Sequence, residues 1–334
     1  MGIKSLGNKK SIKYAAVWDE TGTGAMDPPP RDWGAVSRYG DRGVVMCGHD
    51  GSSDINTIQY FNTASTGNAS DFGDFIIATR GCSALSGAGA AHRAVCAGGW
   101  SDASASYKNE IGYFTIATPG NASDFGDLTA AGQWAASMTS GTRGVWASRT
   151  ESTDICYITI ATTGDATDFG DMTDAGGAAV GASSESRGLI MGGHRVHGNR
   201  IEYITIASTG NATDFGDLTN SVRGAAGLSS SAGRAVRAGG KNNSSGGLEN
   251  VIDYVTIANL GNATDFGDLN DQTEGISGSS NGTRGLFSGG DTQWNGRVNW
   301  IQYITISTTG DATDFGDLVS VVSSTASTTG ADGS

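Results

Sequence analysis

The stretch Ile201-Glu202-Tyr203-Ile204-Thr205-Ile206, then Ser208-Thr209-Gly210-Asn211, then Ala212-Thr213-Asp214-Phe215-Gly216-Asp217-Leu218 decides how this chain folds. The first six residues are β-branched or aromatic and alternate as a strand does. A turn rich in Gly and Asn follows, and then a second short strand. No segment of the chain sustains an apolar helical period, so the elements read as all-β. The pattern recurs. Ile-x-Tyr stands at Ile12/Tyr14, Ile58/Tyr60, Ile111/Tyr113, Ile155/Tyr157, Ile201/Tyr203, Ile252/Tyr254 and Ile301/Tyr303, with successive tyrosines 44 to 53 residues apart. Asp-Phe-Gly-Asp begins at Asp71, Asp124, Asp168, Asp214, Asp265 and Asp314, always 11 residues after the tyrosine of its unit. A period in this range marks a propeller or another repeat array.

One unit reads as four strands. A is a small-residue segment, Ala178–Ser183. B is an apolar run from Arg187 that stops at Gly192-Gly193. C carries Ile-x-Tyr, and D carries Asp-Phe-Gly-Asp. B opens with Arg42, Arg93, Arg143, Arg187, Arg234 and Arg284 in the six full units. At the N-terminus, residues 2–7 read as B, 12–17 as C and about 25–33 as a divergent D. After the last Asp-Phe-Gly-Asp, residues 319–323 read as A. The expected fold is therefore a single-domain, seven-bladed β-propeller of four-stranded antiparallel blades. Its blades would span about 34–75, 81–128, 131–172, 177–218, 223–269 and 275–318, and a seventh would join 319–334 to 1–33. Closing a ring in this way removes open sheet edges. Small residues in the A strands (Gly34-Ala35, Ala135-Ala136, Ala225-Ala226, Ser277-Gly278) suit a crowded centre.

The pattern resembles the kelch family of β-propellers. The likeness lies in the small inner strand, the strand ending in Gly-Gly (Gly98-Gly99, Gly192-Gly193, Gly239-Gly240, Gly289-Gly290) and the downstream Tyr. In the fourth strand, kelch blades usually carry Trp; this chain has Phe72, Phe125, Phe169, Phe215, Phe266 and Phe315. The near-identical Thr-Gly-Asn-Ala-Thr-Asp-Phe-Gly-Asp-Leu units also resemble repeat proteins found as structural components of tailed-phage virions. That resemblance implies a place on a virion assembled in the host cytoplasm.

Composition narrows the function classes. The 334 residues include 53 glycines and only 16% charged residues, which suits many short strands joined by turns. A net charge of −13 argues against a nucleic-acid partner and against an anionic membrane surface. No apolar run reaches membrane-span length, and residues 1–10 lack the apolar core of a secretory signal. Cys47, Cys82, Cys96 and Cys156 show no paired spacing and read as core residues.

Repeated motifs usually build a scaffold. Asp-Phe-Gly occurs in kinases, but six copies with no phosphate-binding glycine loop exclude that chemistry. Phe should pack between blades, and the aspartates should serve turns. The six B-strand arginines and the aspartates Asp71, Asp124, Asp168, Asp214, Asp265 and Asp314 are expected to meet as a ring of ion pairs on the A–B/C–D face. The spacing Asp165, Asp168, Asp171 makes calcium a candidate, set against turn chemistry; otherwise no cofactor is expected. The B–C loops on the other face differ from unit to unit, and function tends to sit on such loops. Trp100, Trp134 and Trp294 are candidate platforms for a sugar ring or a protein, and Asp102, His194, His197, Asn242 and Asn295 are candidate polar contacts. Some kelch-like propellers are copper oxidases, but His194 and His197 share one loop with no second cluster nearby. The expectation is a non-enzymatic virion structural or adhesion protein that docks to other virion proteins or a host-surface glycan. A cellular carbohydrate-binding or scaffold propeller is the alternative, and a copper oxidase a remote one.

Overall fold

The computed structural model describes residues 38–88 and 92–331. These residues belong to one compact unit, Ser37–Ser334. They form no helix, and among them are six four-stranded antiparallel sheets plus short two- and three-stranded ladders. In chain order, the B strands of the six sheets are Arg42–His49, Arg93–Ala97, Arg143–Ala147, Arg187–Met191, Arg234–Ala238 and Arg284–Ser288. We number the sheets I to VI accordingly. Each B strand lies between an inner A strand and a C strand, and D lies outermost.

The residue types follow from that layering. B strands are buried on both faces because a neighbouring sheet covers each side, so Val44-Val45-Met46 reads as a continuous apolar run. Six apolar cores lie between successive sheets among the described residues. One joins Met138, Val145 and Phe169 of sheet III to Ile190, Ile204 and Ile206 of sheet IV. Another joins Leu286, Ile301 and Phe315 of sheet VI to Val45 and Phe61 of sheet I. The inner strands Ser83–Ser86, Ala136–Thr139, Val180–Ser183, Ala226–Ser229, Ser277–Ser280 and Ala326–Gly330 contact one another in that order, and the last contacts the first. They crowd at the centre. A methyl on Gly181 would stand 2.0 Å from the Ser137 carbonyl oxygen, and one on Gly278 would stand 2.7 Å from that of Gly227. Sheets packed in this order are the arrangement expected of a β-propeller.

Asp-Phe-Gly-Asp joins each sheet to the next. Phe is buried and meets the tyrosine of its own sheet edge-on, as in Tyr203–Phe215 at 6.3 Å. Gly approaches the C–D turn of the following sheet. A methyl on Gly267 (φ +146°) would lie 2.5 Å from the Gly310 carbonyl oxygen. The second Asp donates its backbone N–H to the turn residue of the following sheet. These bonds run Asp74 to Asn121, Asp127 to Asp165, Asp171 to Asn211, Asp217 to Asn262, Asp268 to Asp311 and Asp317 to Asn68, at 3.0–3.1 Å. The last of these returns from sheet VI to sheet I.

Two expectations need correction. Residues 319–323 are not the closing strand. The strand that the C-terminal segment supplies is Ala326–Gly330, and it pairs with Arg42–Met46 of sheet I. The apolar character of Val319, Val321 and Val322 suggests a strand, but the inner strands here consist mainly of small or hydroxylated residues, with at most one larger apolar side chain each. Val322 instead lies buried in the linker, where its carbonyl accepts the Gly290 N–H. The inner strand expected to complete a seventh sheet is thus committed to sheet I; residues 1–33, its other expected members, and Gly34-Ala35 lie outside the described residues. The six B-strand arginines also do not pair with the Asp-Phe-Gly-Asp carboxylates. Each lies over the tyrosine of its own sheet, at 4.0 Å for Arg234 on Tyr254 and 5.0 Å for Arg42 on Tyr60. Each also donates to a backbone carbonyl of the next sheet: Arg42 to Ile116, Arg93 to Ile160, Arg143 to Ile206, Arg187 to Ile257, Arg234 to Ile306 and Arg284 to Thr63. The turn carbonyls lie within reach of the guanidinium, whereas Asp214 and its counterparts point to solvent.

Candidate functional site

The B–C and D–A loops interlock on one face. The second glycine of each Gly-Gly pair donates its N–H to the linker entering the next sheet, as Gly193 does to Val222 and Gly240 to Thr273. Ten residues after the first Asp of each Asp-Phe-Gly-Asp stand Gly81, Trp134, Ala178, Gly224, Gly275 and Ser324. All six have positive φ, between 57° and 65°. Their backbones form a ring of hydrogen bonds, each N–H donating to the preceding member's carbonyl: Trp134 to Gly81, Ala178 to Trp134, Gly224 to Ala178, Gly275 to Gly224, Ser324 to Gly275 and Gly81 to Ser324, at 2.6–3.1 Å. At the opposite end of the centre, the Arg38 guanidinium is buried and donates to the Thr139 carbonyl and the Ser183 hydroxyl.

Trp134 breaks the symmetry of the ring. Its indole spans the circle: Nε1 lies 2.9 Å from where a methyl on Gly81 would stand, Cη2 3.6 Å from one on Gly275, and Cζ3 3.9 Å from one on Gly224. Two cavities meet at this side chain. One, of about 480 Å³, is lined by Trp134, Tyr107, Glu151, His194, Arg223 and Glu274, among others. The other, of about 440 Å³, is lined by Trp134, Trp100, His49, Arg80, Asp291 and Arg297, among others. Tyr107, Gln133, Trp134 and Glu274 border both.

The structure brings together three of the eight candidate contacts, Trp100, Trp134 and His194. Trp100 packs edge-on against Tyr107 at 5.0 Å and donates its Nε1–H to Asp102 Oδ1 at 2.9 Å. Asp102 stands behind it, held below the usual carboxylate range by the Arg80 hydrogen bond and then by the Trp100 bond. The other four serve their own loops or reach solvent. His197 Nδ1 meets Asp174 Oδ2 at 2.7 Å, which lowers the Asp174 pKa. Asn242 accepts the Ser244 and Ser245 N–H groups in a turn, and Asn295 donates its N–H to the Thr292 hydroxyl. Trp294 is 79% exposed at a hairpin tip, outside both cavities. Sequence reasoning passed over Arg223, Arg297, Glu274, Gln133 and Tyr107. The constant offset of ten residues from Asp-Phe-Gly-Asp could have found the linker positions, since it sets Trp134 against five small residues.

Among the described residues, the one group of three side chains able to share a cation is His49, Asp54 and Asp102. Arg80 Nη1 already bridges Asp54 Oδ1 at 2.8 Å and Asp102 Oδ2 at 2.7 Å, so this is an ion-pair network with its cation supplied by the protein. Asp165 turns one carboxylate oxygen to the Asp127 N–H, which is turn and joint chemistry. All four cysteines are free and buried, with Cys47, Cys82 and Cys96 in one apolar core. No helix of the described residues is long and apolar enough to cross a membrane. No protein-family model matches the sequence, and comparison with curated proteins finds no significant similarity.

Proposed function

We propose that this chain is a non-enzymatic, six-bladed, kelch-like β-propeller that serves as a structural or adhesion module of a phage particle. It docks to another virion protein or to a host-surface glycan through its B–C/D–A face. The observation that carries this reading is the division of labour between the two faces. On the A–B/C–D face, an arginine, a tyrosine and an Asn or Asp turn residue recur in every sheet and are used up in joints between sheets. The opposite face holds the side chains that differ from sheet to sheet, along with the two adjoining cavities. A rigid frame with one individual surface suits recognition. The repeated Thr-Gly-Asn-Ala-Thr-Asp-Phe-Gly-Asp-Leu unit supports the virion assignment by resemblance.

Two measurements test the reading. Mass spectrometry of purified phage particles should recover this chain in stoichiometric amount; its absence would refute the virion assignment. Labelled intact protein should bind candidate host cells or partly assembled particles, and Tyr107→Ala or Trp294→Ala should weaken that binding about tenfold. Leu260→Ser, on an exposed C–D turn, should leave it unchanged. The reverse pattern would place the docking surface on the wrong face.

A further inference from the structure

Resting on that reading of the face, we propose that its two cavities form one trough for a neutral oligosaccharide, with a sugar ring seated on the Trp134 indole at the centre of the ring. Three independent observations converge here.

The first is backbone strain. The ring position demands a left-handed backbone, which glycine adopts freely and a bulky residue does not. Glycine holds it in sheets II, V and VI, whereas Trp134 adopts φ +57° there. Thr150 (φ +35°) and Glu151 (φ +58°), lining the same cavity, are also left-handed. Unfavoured backbone held by its surroundings clusters at ligand sites.

The second is shape. The indole crosses the ring to Gly275 and Gly224 and stands where the two cavities meet. Each cavity falls within the range of about 300–1,000 Å³ typical of small-ligand sites. A flat aromatic floor with space continuing on both sides accommodates a short chain of rings rather than one compact molecule. An indole face takes the C–H face of a pyranose, and its edge N–H can donate to a hydroxyl.

The third is charge. The two linings together carry Arg80, Arg223 and Arg297 against Glu151, Glu274 and Asp291. Arg223 donates to the Asn243 side chain and Arg297 to the Ser323 hydroxyl, which fixes both guanidinium groups. A trough with balanced charge, offering fixed donors and carboxylate acceptors side by side, suits a ligand rich in hydroxyls. A polyanion would meet three carboxylates in the site and a net charge of −13 on the chain.

The test is calorimetric titration of the intact protein with neutral tri- and tetrasaccharides built from glucose, galactose, mannose or N-acetylglucosamine. Trigalacturonate and 3′-sialyllactose serve as acidic comparators. At least one neutral sugar should bind with Kd of ~1 mM or tighter and change the tryptophan fluorescence. Trp134→Gly installs the residue found in sheets II, V and VI, so it should fold with unchanged Tm and lose about tenfold or more in affinity. Trp134→Tyr should retain part of the binding, and Leu260→Ser, on an exposed C–D turn, should match the wild type. Binding of acidic sugars alone, full binding by Trp134→Gly, or no neutral sugar bound at 10 mM (roughly tenfold above that Kd) would each overturn the proposal. If sugars fail while Tyr107→Ala still weakens docking to cells or particles, the trough is refuted and the docking face stands. If both fail, both readings fall.

Discussion

Ending the chain after Thr325 tests the pairing of the C-terminal strand with sheet I directly. The deletion removes Ala326–Gly330, which pairs with Arg42, Gly43, Val44, Val45 and Met46 over five register positions. An antiparallel pair of that length holds about five backbone hydrogen bonds, each contributing about 0.5–1.5 kcal/mol net, or about 5 kcal/mol in all. The Thr329 hydroxyl bond to the Ser280 carbonyl and the contacts to the neighbouring inner strands go as well. A folded domain is stable by about 5–15 kcal/mol, so the loss takes a third or more of the total. Urea unfolding, followed by tryptophan fluorescence and analysed with a common slope, gives the difference. The truncated chain should unfold at far lower urea and aggregate through the bared edge of sheet I. Adding a synthetic peptide of residues 322–331 should restore part of the stability through mass action. A destabilisation below about 1 kcal/mol would refute the reasoning, because it would mean that the pairing of sheet I with the C-terminal strand contributes little.

Three more outcomes follow from the joints between sheets. Arg234→Met should cost about 2 kcal/mol through loss of the Tyr254 stacking and the charge-assisted bond to Ile306, whereas Asp265→Asn should be nearly neutral; chemical denaturation distinguishes this from an Arg–Asp ring, which predicts equal losses. Burial, and then the neighbouring acids Asp165 and Asp311, raise the carboxyls of Asp127 and Asp268 above 3.8. The folded state therefore holds those protons more tightly, so the penalty appears as pH rises through 3.8 and is complete above the raised values. Asp165→Asn with Asp311→Asn should raise Tm at pH 7 and change nothing near pH 3, and an equal gain at both would contradict the charge argument. His92 is buried beside Gly330, and burial lowers its pKa below 6.5. Its neutral form stabilises the fold above 6.5, and that contribution is lost as pH falls from 6.5 through the lowered value. His92→Asn should flatten the fall of Tm across that window, and an unchanged slope would exclude His92 as its source.

Much of the architecture was legible from residue order. The fixed separation of Tyr and Asp-Phe-Gly-Asp defined a constant C–D hairpin, and the Arg at each B strand marked the element that every sheet shares. Those are local signals, set by turn chemistry and strand alternation within about fifteen residues. Local hydrophobicity misplaces the C-terminal strand, because it favours Val319–Val322 over Ala326-Ser327-Thr328-Thr329-Gly330, and only the crowding of inner strands makes the second segment the fit one. Formal charge misleads about the arginine partners for a related reason. Charge suggested carboxylates, but the nearest acceptors are carbonyls contributed by another sheet. Trp100, Trp134 and His194 could be singled out as candidates, while Arg223, Arg297 and Glu274 could not, since nothing local marks the linkers as neighbours of the B–C loops.

By itself, the sequence determined that the chain is built of repeated four-stranded antiparallel units, because strand period, turn residues and hairpin length depend on near neighbours alone. Tertiary structure decided which strand completes sheet I, what each repeated arginine grips, and that a single indole lies across the six-residue ring. Those outcomes depend on contacts between residues tens to hundreds of positions apart. Such contacts are fixed by the space left when sheets pack against one another, and no short-range pattern encodes that space.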